Sequence, residues 1–239
     1  MDRMHFGQHS SSQFNEALES IRNRLMAMGG VVEQQIVDAM EALLQMDSGI
    51  AGKVLDTEKK VDALEMQIDE ECARVLALRQ PAASDLRLII AVSKAVSDLE
   101  RIGDESAKIA AMALRLTEEE ASSRGQVEAV RHIGGHVRNM LRDALDAFAR
   151  FDADKALSVA AEDNEVDLEY RSAMRSLVTF MMEDPRAISR TLNVIWSLRA
   201  LERIGDHARN IGEQVIYLVK GKDVRHISVD EMEKTLHKS

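Results

Sequence analysis

Apolar residues recur every three to four positions along most of the chain, and breakers rich in Asp, Ser, Gly and Pro interrupt this pattern at five places. A spacing close to 3.5 residues is typical of long helices that pack at shallow angles. Thirty residues in such a helix form a rod of about 45 Å. The pattern therefore predicts an all-α protein, with helical segments near residues 13–46, 51–79, 84–117, 124–151, 155–183 and 186–220.

The second half of the chain repeats the first. Met28-Gly29-Gly30 corresponds to Ile133-Gly134-Gly135, 105 positions later, and scattered identities follow at the same offset. The strongest match is Leu-Glu-Arg-Ile-Gly-Asp, which occurs at 99–104 and again at 201–206. This period is longer than that of solenoid repeats. The duplication predicts two tandem three-helix bundles at residues 13–117 and 122–221, followed by a polar C-terminal tail at 222–239.

The composition agrees with a helical architecture. The 239 residues include only 2 prolines, 12 glycines and 8 aromatic residues (5 Phe, 1 Trp and 2 Tyr), which is too little turn punctuation for a β-sandwich or an α/β fold. A net charge of −10 without a long basic run argues against nucleic-acid binding. The single cysteine, Cys72, lies in an apolar stretch, which predicts a buried, unreactive thiol in a reducing compartment. No signal peptide or membrane-spanning run is visible, so we expect a soluble, cytoplasmic protein.

Both copies of the duplicated motif carry a pair of carboxylates. The i,i+4 spacing places the two groups on one helix face with Cβ atoms about 6 Å apart, where like charges destabilise the helix. The glycine inside each motif adds about 1 kcal/mol relative to alanine. A cation between the carboxylates would remove their repulsion, and oxygen ligands suit magnesium, manganese, calcium or iron better than zinc. The sequence therefore predicts metal sites at Glu100, Asp104, Glu202 and Asp206. The apolar seam of the third segment places Glu100 and Asp104 at the edge of the core, where they remain accessible.

An ordinary structural role for these carboxylates is the alternative. Glu100 and Asp104 could instead form ion pairs with Arg101, Lys108 or a neighbouring helix on a solvated face. In that case the protein would be a plain helical scaffold. The exact repetition of the motif, together with its glycine, favours the metal site over this interpretation.

The histidines and the glycine pairs carry less information. His207 follows Asp206 but has Glu105 as its counterpart in the first copy, so we interpret it as a solvated or core-edge residue. His132 and His136 share a helix face, but no Glu lies between them in a His-Glu-x-x-His pattern, which favours surface residues. The Gly-Gly pairs lie within helical segments, so we expect tight helix crossings rather than phosphate-binding loops.

Three features together resemble the signature of the PhoU family of bacterial phosphate-signalling regulators. They are the two Leu-Glu-Arg-Ile-Gly-Asp copies, the segment RQPAASDLR at residues 79–87, and the segment YLVKGKDVRH at residues 217–226. The resemblance covers residues 13–226. It implies two similar three-helix bundles and a non-enzymatic protein that represses the phosphate-starvation (Pho) regulon when phosphate is plentiful.

The resemblance also implies partners and a cofactor. It places the protein between the ATPase subunit of the phosphate ABC transporter and the sensor histidine kinase, at the membrane only through these partners, and it implies a homodimer. Some family members carry metal ions or iron clusters on Glu/Asp-x-x-x-Asp motifs. These motifs fall here on the four carboxylates already named, without distinguishing magnesium, manganese and iron.

Asp85 and Arg87, within the segment at 79–87, are the candidate partner-binding residues, on the expectation that they are exposed. An equally good interpretation of Asp85 is helix capping, because Ser84-Asp85 lies at the start of the third helical segment and Ser and Asp cap helices.

A carboxylate-bridged di-metal enzyme or metal-storage protein is the alternative function. Ferritin-like bundles of this kind use Glu-x-x-His motifs on two helices. No histidine in this sequence has a glutamate three residues before it, which argues against that class.

Overall fold

The computed structural model describes residues 12–79, 81–118 and 127–237, and all regular structure within these ranges is helical. A 3₁₀ turn (Pro185–Ala187) precedes α6. The α-helices of the described ranges are α1 (Ser12–Gln45), α2 (Ser48–Arg79), α3 (Ala83–Glu118), α4 (Glu128–Arg150), α5 (Ala153–Glu183), α6 (Ile188–Lys220) and α7 (Val229–His237).

The structure confirms the predicted all-α class and places six helices within about three residues of the predicted segments. The predicted start of the fourth segment, at 124–126, lies outside the described residues. The seventh helix was not predicted, because α7 spans only nine residues of the polar tail. It buries Met232 and Leu236 and packs against α5. The Lys220 ammonium at the end of α6 donates a hydrogen bond to the Leu236 carbonyl of α7 at 2.7 Å, which fixes α7 to α6.

The turn between α1 and α2 and the turn between α4 and α5 have the same local backbone geometry. Met46 and Phe151 adopt the left-handed region at φ 56° and 55°, although neither is glycine. An aspartate then caps the next helix in each case. Asp47 accepts hydrogen bonds from the backbone N–H groups of residues 49 and 50 at 2.8 and 3.0 Å, and Asp152 accepts from that of residue 155 at 3.0 Å. The duplication therefore extends to a backbone turn and its cap.

Asp184 also acts as a cap, at the turn that leads into α6. Its carboxylate accepts from the Arg186 backbone N–H at 3.1 Å, with Pro185 at the first position of the turn. The element capped is the 3₁₀ turn, and α6 begins after it at Ile188.

The two bundles share one core. Helices α1, α2 and α3 pack against one another, as do α4, α5 and α6, and the halves join through α3 against α6 and α1 against α4. Helices α3 and α6 run antiparallel, because Asp98 lies beside His207 whereas Glu105 lies beside Arg203. In the part of the chain that the structure describes, no helix is long and apolar enough to cross a membrane.

The Gly-Gly pairs mark the helix crossing that the sequence predicted. A Cβ on Gly29 of α1 would lie 2.7 Å from Leu145 Cδ1 of α4, and a Cβ on Gly134 of α4 would collide with Met40 of α1. Gly30 and Gly135 have nothing within 4 Å of a built Cβ. One glycine of each pair therefore permits the close approach of α1 and α4.

Candidate functional site

Glu100 and Asp104 lie half-buried on α3 and face acidic residues of α2. We call this group the first carboxylate cluster, and its members are Glu58, Asp62, Glu65, Glu100 and Asp104. Among the described residues, no basic side chain forms an ion pair within 4 Å of any member of this cluster. The Ser97 hydroxyl donates to Glu65 at 3.1 Å.

The electrostatics of this cluster favour a positive charge between the helices. Partial burial, together with the neighbouring carboxylates, raises the pKa values of Glu58, Glu65 and Glu100. After burial, the charges of Asp62 and Asp104 are the next causes of the raised pKa of Glu58. A cation bound between α2 and α3 would relieve this repulsion.

The second carboxylate cluster lies at the equivalent place on α5 and α6 and comprises Asp163, Asp167, Glu202 and Asp206. Burial is again the main reason that the pKa values of Asp163 and Glu202 are raised. Glu202 is buried and Asp206 is exposed, whereas both motif carboxylates of the first cluster are half-buried. One Glu202 oxygen, Oε2, is inaccessible and has no hydrogen-bond partner among the described residues.

Arginines distinguish the second cluster from the first. Arg209 pairs with Asp163 at 3.2 Å, Arg171 pairs with Asp167 at 3.0 Å, and Arg199 pairs with Glu202. Internal cations therefore neutralise much of the second cluster, whereas the first retains its negative charge. The ion-pair interpretation consequently describes Glu202 well but does not describe Glu100.

The motif glycines sit where neighbouring helices approach. A Cβ on Gly103 would lie 3.2 Å from both Gln35 Oε1 of α1 and Val61 Cγ1 of α2. The Gln35 amide also donates to the Val54 carbonyl at 3.3 Å. A Cβ on Gly205 would lie 3.5 Å from Asp163 Oδ1. The contact at Gly103 is the tighter of the two. Close packing within the first bundle therefore explains why position 103 has no side chain.

The donor set fits a hard divalent cation, because it consists of carboxylate oxygens only. Among the described residues, no three His, Cys, Asp or Glu side chains are arranged to hold a metal ion as they stand. A cation here would therefore be held by carboxylate pairs and by water, which is how magnesium commonly binds to proteins.

Sequence reasoning missed the α2 and α5 carboxylates. The signal was present, because Glu58-x-x-x-Asp62 and Asp163-x-x-x-Asp167 have the same i,i+4 spacing and are related by the 105-residue offset. Each pair faces the motif carboxylates of the following helix. Each cluster therefore combines two such spacings from adjacent helices.

The remaining predicted residues lie elsewhere. His207 is a core-edge residue, with Nδ1 at 2.9 Å from Asp98 Oδ1. His132 is exposed and His136 half-buried, and both lie beside Glu169 at 3.2 and 3.5 Å. Cys72 is free and buried, as predicted, and burial raises the pKa of its thiol to about 12.

The expectation of an exposed Asp85 is wrong. Asp85 lies in the first turn of α3 and is fully buried, so it is not available on the surface for a partner. Arg87 is half-buried, and its guanidinium lies beside Gly221, where a built Cβ would be 3.7 Å from Arg87 Cζ. This pair joins the start of α3 to the left-handed C-cap of α6 at φ 68°.

The fold and the site together define a class of protein: a duplicated helical bundle with a carboxylate cluster in each half. The PhoU domain model matches residues 25–113 and 130–215. A phosphate-specific transport system accessory protein PhoU homolog from Pseudomonas putida is 64% identical over 94% of this chain and 87% of that protein. The corresponding Escherichia coli protein is 46% identical over 99% and 97%. The chain therefore belongs to the PhoU family.

Solved structures agree with this assignment. The crystal structure of PhoU from Pseudomonas aeruginosa has 63% identity and a TM-score of 0.85, covering 88% of this chain and 100% of that one. The phosphate transport system regulatory protein PhoU from Streptococcus pneumoniae has 31% identity and a TM-score of 0.82, over 89% and 99%. The chain is thus a phosphate transport accessory protein of the PhoU type.

Proposed function

We propose that this protein is a non-enzymatic negative regulator of the Pho regulon. It acts as an adaptor that couples the ATPase subunit of the phosphate ABC transporter to the sensor histidine kinase, and it modulates phosphate uptake. The observation that carries the proposal is the match of the PhoU domain to both halves of the chain, together with the description of relatives as accessory and regulatory proteins of phosphate transport.

Deletion of the gene tests the regulatory role. Loss of a repressor is expected to switch on alkaline phosphatase in phosphate-rich medium, and the wild-type gene on a plasmid should restore repression. Repression that persists in the deletion strain contradicts the proposal.

A pull-down from detergent-solubilised membranes at high and low phosphate tests the adaptor role. The expected result is recovery of both the transporter ATPase and the sensor kinase at high phosphate. Recovery of neither protein under either condition argues against the adaptor. Light scattering on the purified protein separately tests the proposed homodimer, which is expected to have twice the 26.7 kDa chain mass.

We also propose that Glu100, Asp104, Glu202 and Asp206 contribute to binding of a hard divalent cation or iron. When bound, the cation would neutralise the carboxylates and link α2 to α3 and α5 to α6. The first cluster is the stronger site, because its carboxylates have no ion-pair partner among the described residues, whereas Arg199 and Arg209 already neutralise the second. The cation's role is structural or regulatory rather than catalytic.

Metal analysis of protein purified without chelator tests this site. We expect Glu100→Gln/Asp104→Asn to remove more metal than Glu202→Gln/Asp206→Asn. The matched control is Asp56→Asn/Glu70→Gln, which changes two exposed carboxylates of α2. Equal metal content in all four proteins contradicts the metal proposal and leaves the regulatory proposal intact. Catalytic consumption of ferrous iron and oxygen would instead support the ferritin-like alternative.

A further inference from the structure

A polar cleft of about 840 Å³ lies between α3 and α6, outside both carboxylate clusters except at Asp206. It continues into a smaller cleft of about 320 Å³, where Trp196 lies, and Arg199 and Arg203 line both. Binding sites for small molecules generally measure about 300–1,000 Å³. The combined groove is therefore large enough for a ligand of nucleotide size.

Basic side chains dominate this groove, although the whole chain has a net charge of −10. Four of them follow α3 at intervals of seven residues, and the others come from α6 and the segment after it. Acidic lining residues are half as numerous: Asp98, Glu105, Asp206 and Glu213. Of the eight basic residues, Lys94, Arg101, Lys108 and Arg115 lie on α3, and Arg199 and Arg203 lie on α6.

Arg101 and Arg203 occupy equivalent positions in the two copies of the duplicated motif. Neither arginine belongs to a carboxylate cluster, so the clusters do not explain why the motif repeats an arginine. Because α3 and α6 are antiparallel, the two arginines line the same groove from opposite helices. The motif thus directs its arginine toward the groove between the bundles. Its carboxylates face α2 and α5, and Asp206 alone among them also lines the groove. One groove receives the guanidinium groups of both copies.

These arginines keep hydrogen-bond donors available. Among the described residues, Arg101 is exposed and makes no side-chain hydrogen bond or ion pair. Arg203 pairs with the buried Glu105 through Nε at 3.0 Å and is 44% exposed, which leaves both Nη groups available. Gln214, only 4% exposed, also lines the groove, and its Oε1 has no partner within the described part of the chain.

We infer that the α3–α6 groove binds a phosphoanion with several phosphate groups, and that Arg101 and Arg203 are its principal ligands. The planar guanidinium group matches the geometry of phosphate oxygens through paired N–H donors, and charge-assisted hydrogen bonds of this kind are the strong ones. A linear oligophosphate and the phosphate chain of a nucleotide share this chemistry. Trp196 at the end of the groove offers a stacking surface that only a nucleotide base would use.

Isothermal titration calorimetry with tripolyphosphate, ATP, orthophosphate and citrate tests this inference. EDTA is included so that a cation at the carboxylate clusters cannot recruit the phosphate. We expect Arg101→Gln/Arg203→Gln to weaken tripolyphosphate binding about tenfold or more. The control, Arg74→Gln/Arg131→Gln, removes the same charge from exposed arginines of α2 and α4 outside the groove and should change binding less than about twofold.

If the double variant does not fold, Arg101→Gln alone still tests the inference. Arg101 makes no ion pair among the described residues, so its replacement should not destabilise the fold. We expect this single variant to bind tripolyphosphate about threefold more weakly. Tighter binding of ATP than of tripolyphosphate identifies a nucleotide, and the reverse order identifies inorganic oligophosphate. Quenching of Trp196, the only tryptophan, by ATP but not by tripolyphosphate would support the nucleotide. The inference is overturned by equal weakening in the control, by citrate or orthophosphate binding as tightly as tripolyphosphate, or by no binding at about 1 mM.

Discussion

Gly29 of α1 lies directly against Leu145 of α4, and the pseudo-symmetric contact places Gly134 of α4 against Met40 of α1. Both members of each contact are separated from their counterparts by the same 105 positions. The contacts are therefore one interaction made twice, across a pseudo-twofold axis that passes through the α1–α4 crossing. The two bundles are held at this distance because neither glycine has a side chain.

Substitution of adjacent glycines should have opposite effects. Gly29→Ala would place a methyl group 2.7 Å from the buried Leu145, and we expect a loss of about 1 kcal/mol in the free energy of unfolding after the gain in helix propensity is included. Gly30→Ala meets nothing within 4 Å and should gain up to about 1 kcal/mol. Urea denaturation measures both. Equal effects at the two positions would contradict the packing explanation.

The aspartate caps at the start of α2 and α5 should each contribute to stability. Asp47→Ala and Asp152→Ala remove side-chain acceptors from backbone N–H groups, and each is expected to cost about 1 kcal/mol. Asp47→Ala should cost at least as much as Asp152→Ala, because Asp47 accepts two such bonds. Asp56→Ala, an exposed control on α2, should stay within about 0.5 kcal/mol of wild type. Thermal unfolding of the three variants checks the order.

The helices and the duplication were predictable from the sequence, because apolar spacing and repeated identities are visible without knowledge of how the helices pack. The helix α7 was not, since its nine residues bury only Met232 and Leu236. The burial of Asp85 was also missed. Its place among polar residues at the start of a helical segment does not reveal burial, because the packing that covers it comes from the tertiary structure.

Only the α3 and α6 carboxylates of the two clusters were predicted from the sequence, and those of α2 and α5 were not. Glu100 and Asp104 were found because six consecutive identities surround them, whereas Glu58 and Asp62 repeat as Asp163 and Asp167 with little matching sequence nearby. The charge difference between the clusters depends on arginines whose side chains reach across helices, as Arg209 does to Asp163. That reach depends on how α5 and α6 pack, which apolar spacing does not determine.

Cys72 should be unreactive in the folded protein. Burial is the main cause that raises the pKa of its thiol to about 12, so the nucleophilic thiolate is scarce at pH 8. We expect no reaction with Ellman's reagent over minutes in buffer and one equivalent of reaction in guanidinium chloride. Rapid reaction of the native protein would contradict the buried position.

Asp98 links the two bundles by accepting a hydrogen bond from Asn210 at 3.0 Å and lying 2.9 Å from His207 Nδ1. Asp98→Ala leaves these two polar groups of α6 without their partner, and we expect a loss of about 1–3 kcal/mol. Asp98→Asn retains the shape and one acceptor oxygen, so its loss should be smaller. Chemical denaturation of both variants tests this. A smaller loss for the alanine variant would show that the link does not stabilise the interface.

Glu100→Gln should stabilise the metal-free protein at neutral pH. Burial, followed by Asp104 and Glu65, raises the pKa of Glu100 above its ordinary value of 4.5. Between that value and the raised one, the folded state holds more protons than the unfolded state, so the free energy of unfolding falls as pH rises. Removing the charge eliminates this loss. The gain should be at least a few tenths of a kcal/mol, the size of a like-charge i,i+4 repulsion.

The pH profile of the thermal midpoint, measured in EDTA, checks the sign. The advantage of Glu100→Gln over wild type should be present at pH 7, shrink as pH falls through the raised pKa, and disappear below about pH 4, where Glu100 is protonated in both states. Glu70→Gln, an exposed control that pairs with Arg74 at 3.0 Å, should show no such advantage. Added manganese should stabilise wild type more than Glu100→Gln, because only wild type retains the full cluster. An advantage that grows toward acid pH would contradict the assigned electrostatics, since protonation can only reduce repulsion between carboxylates.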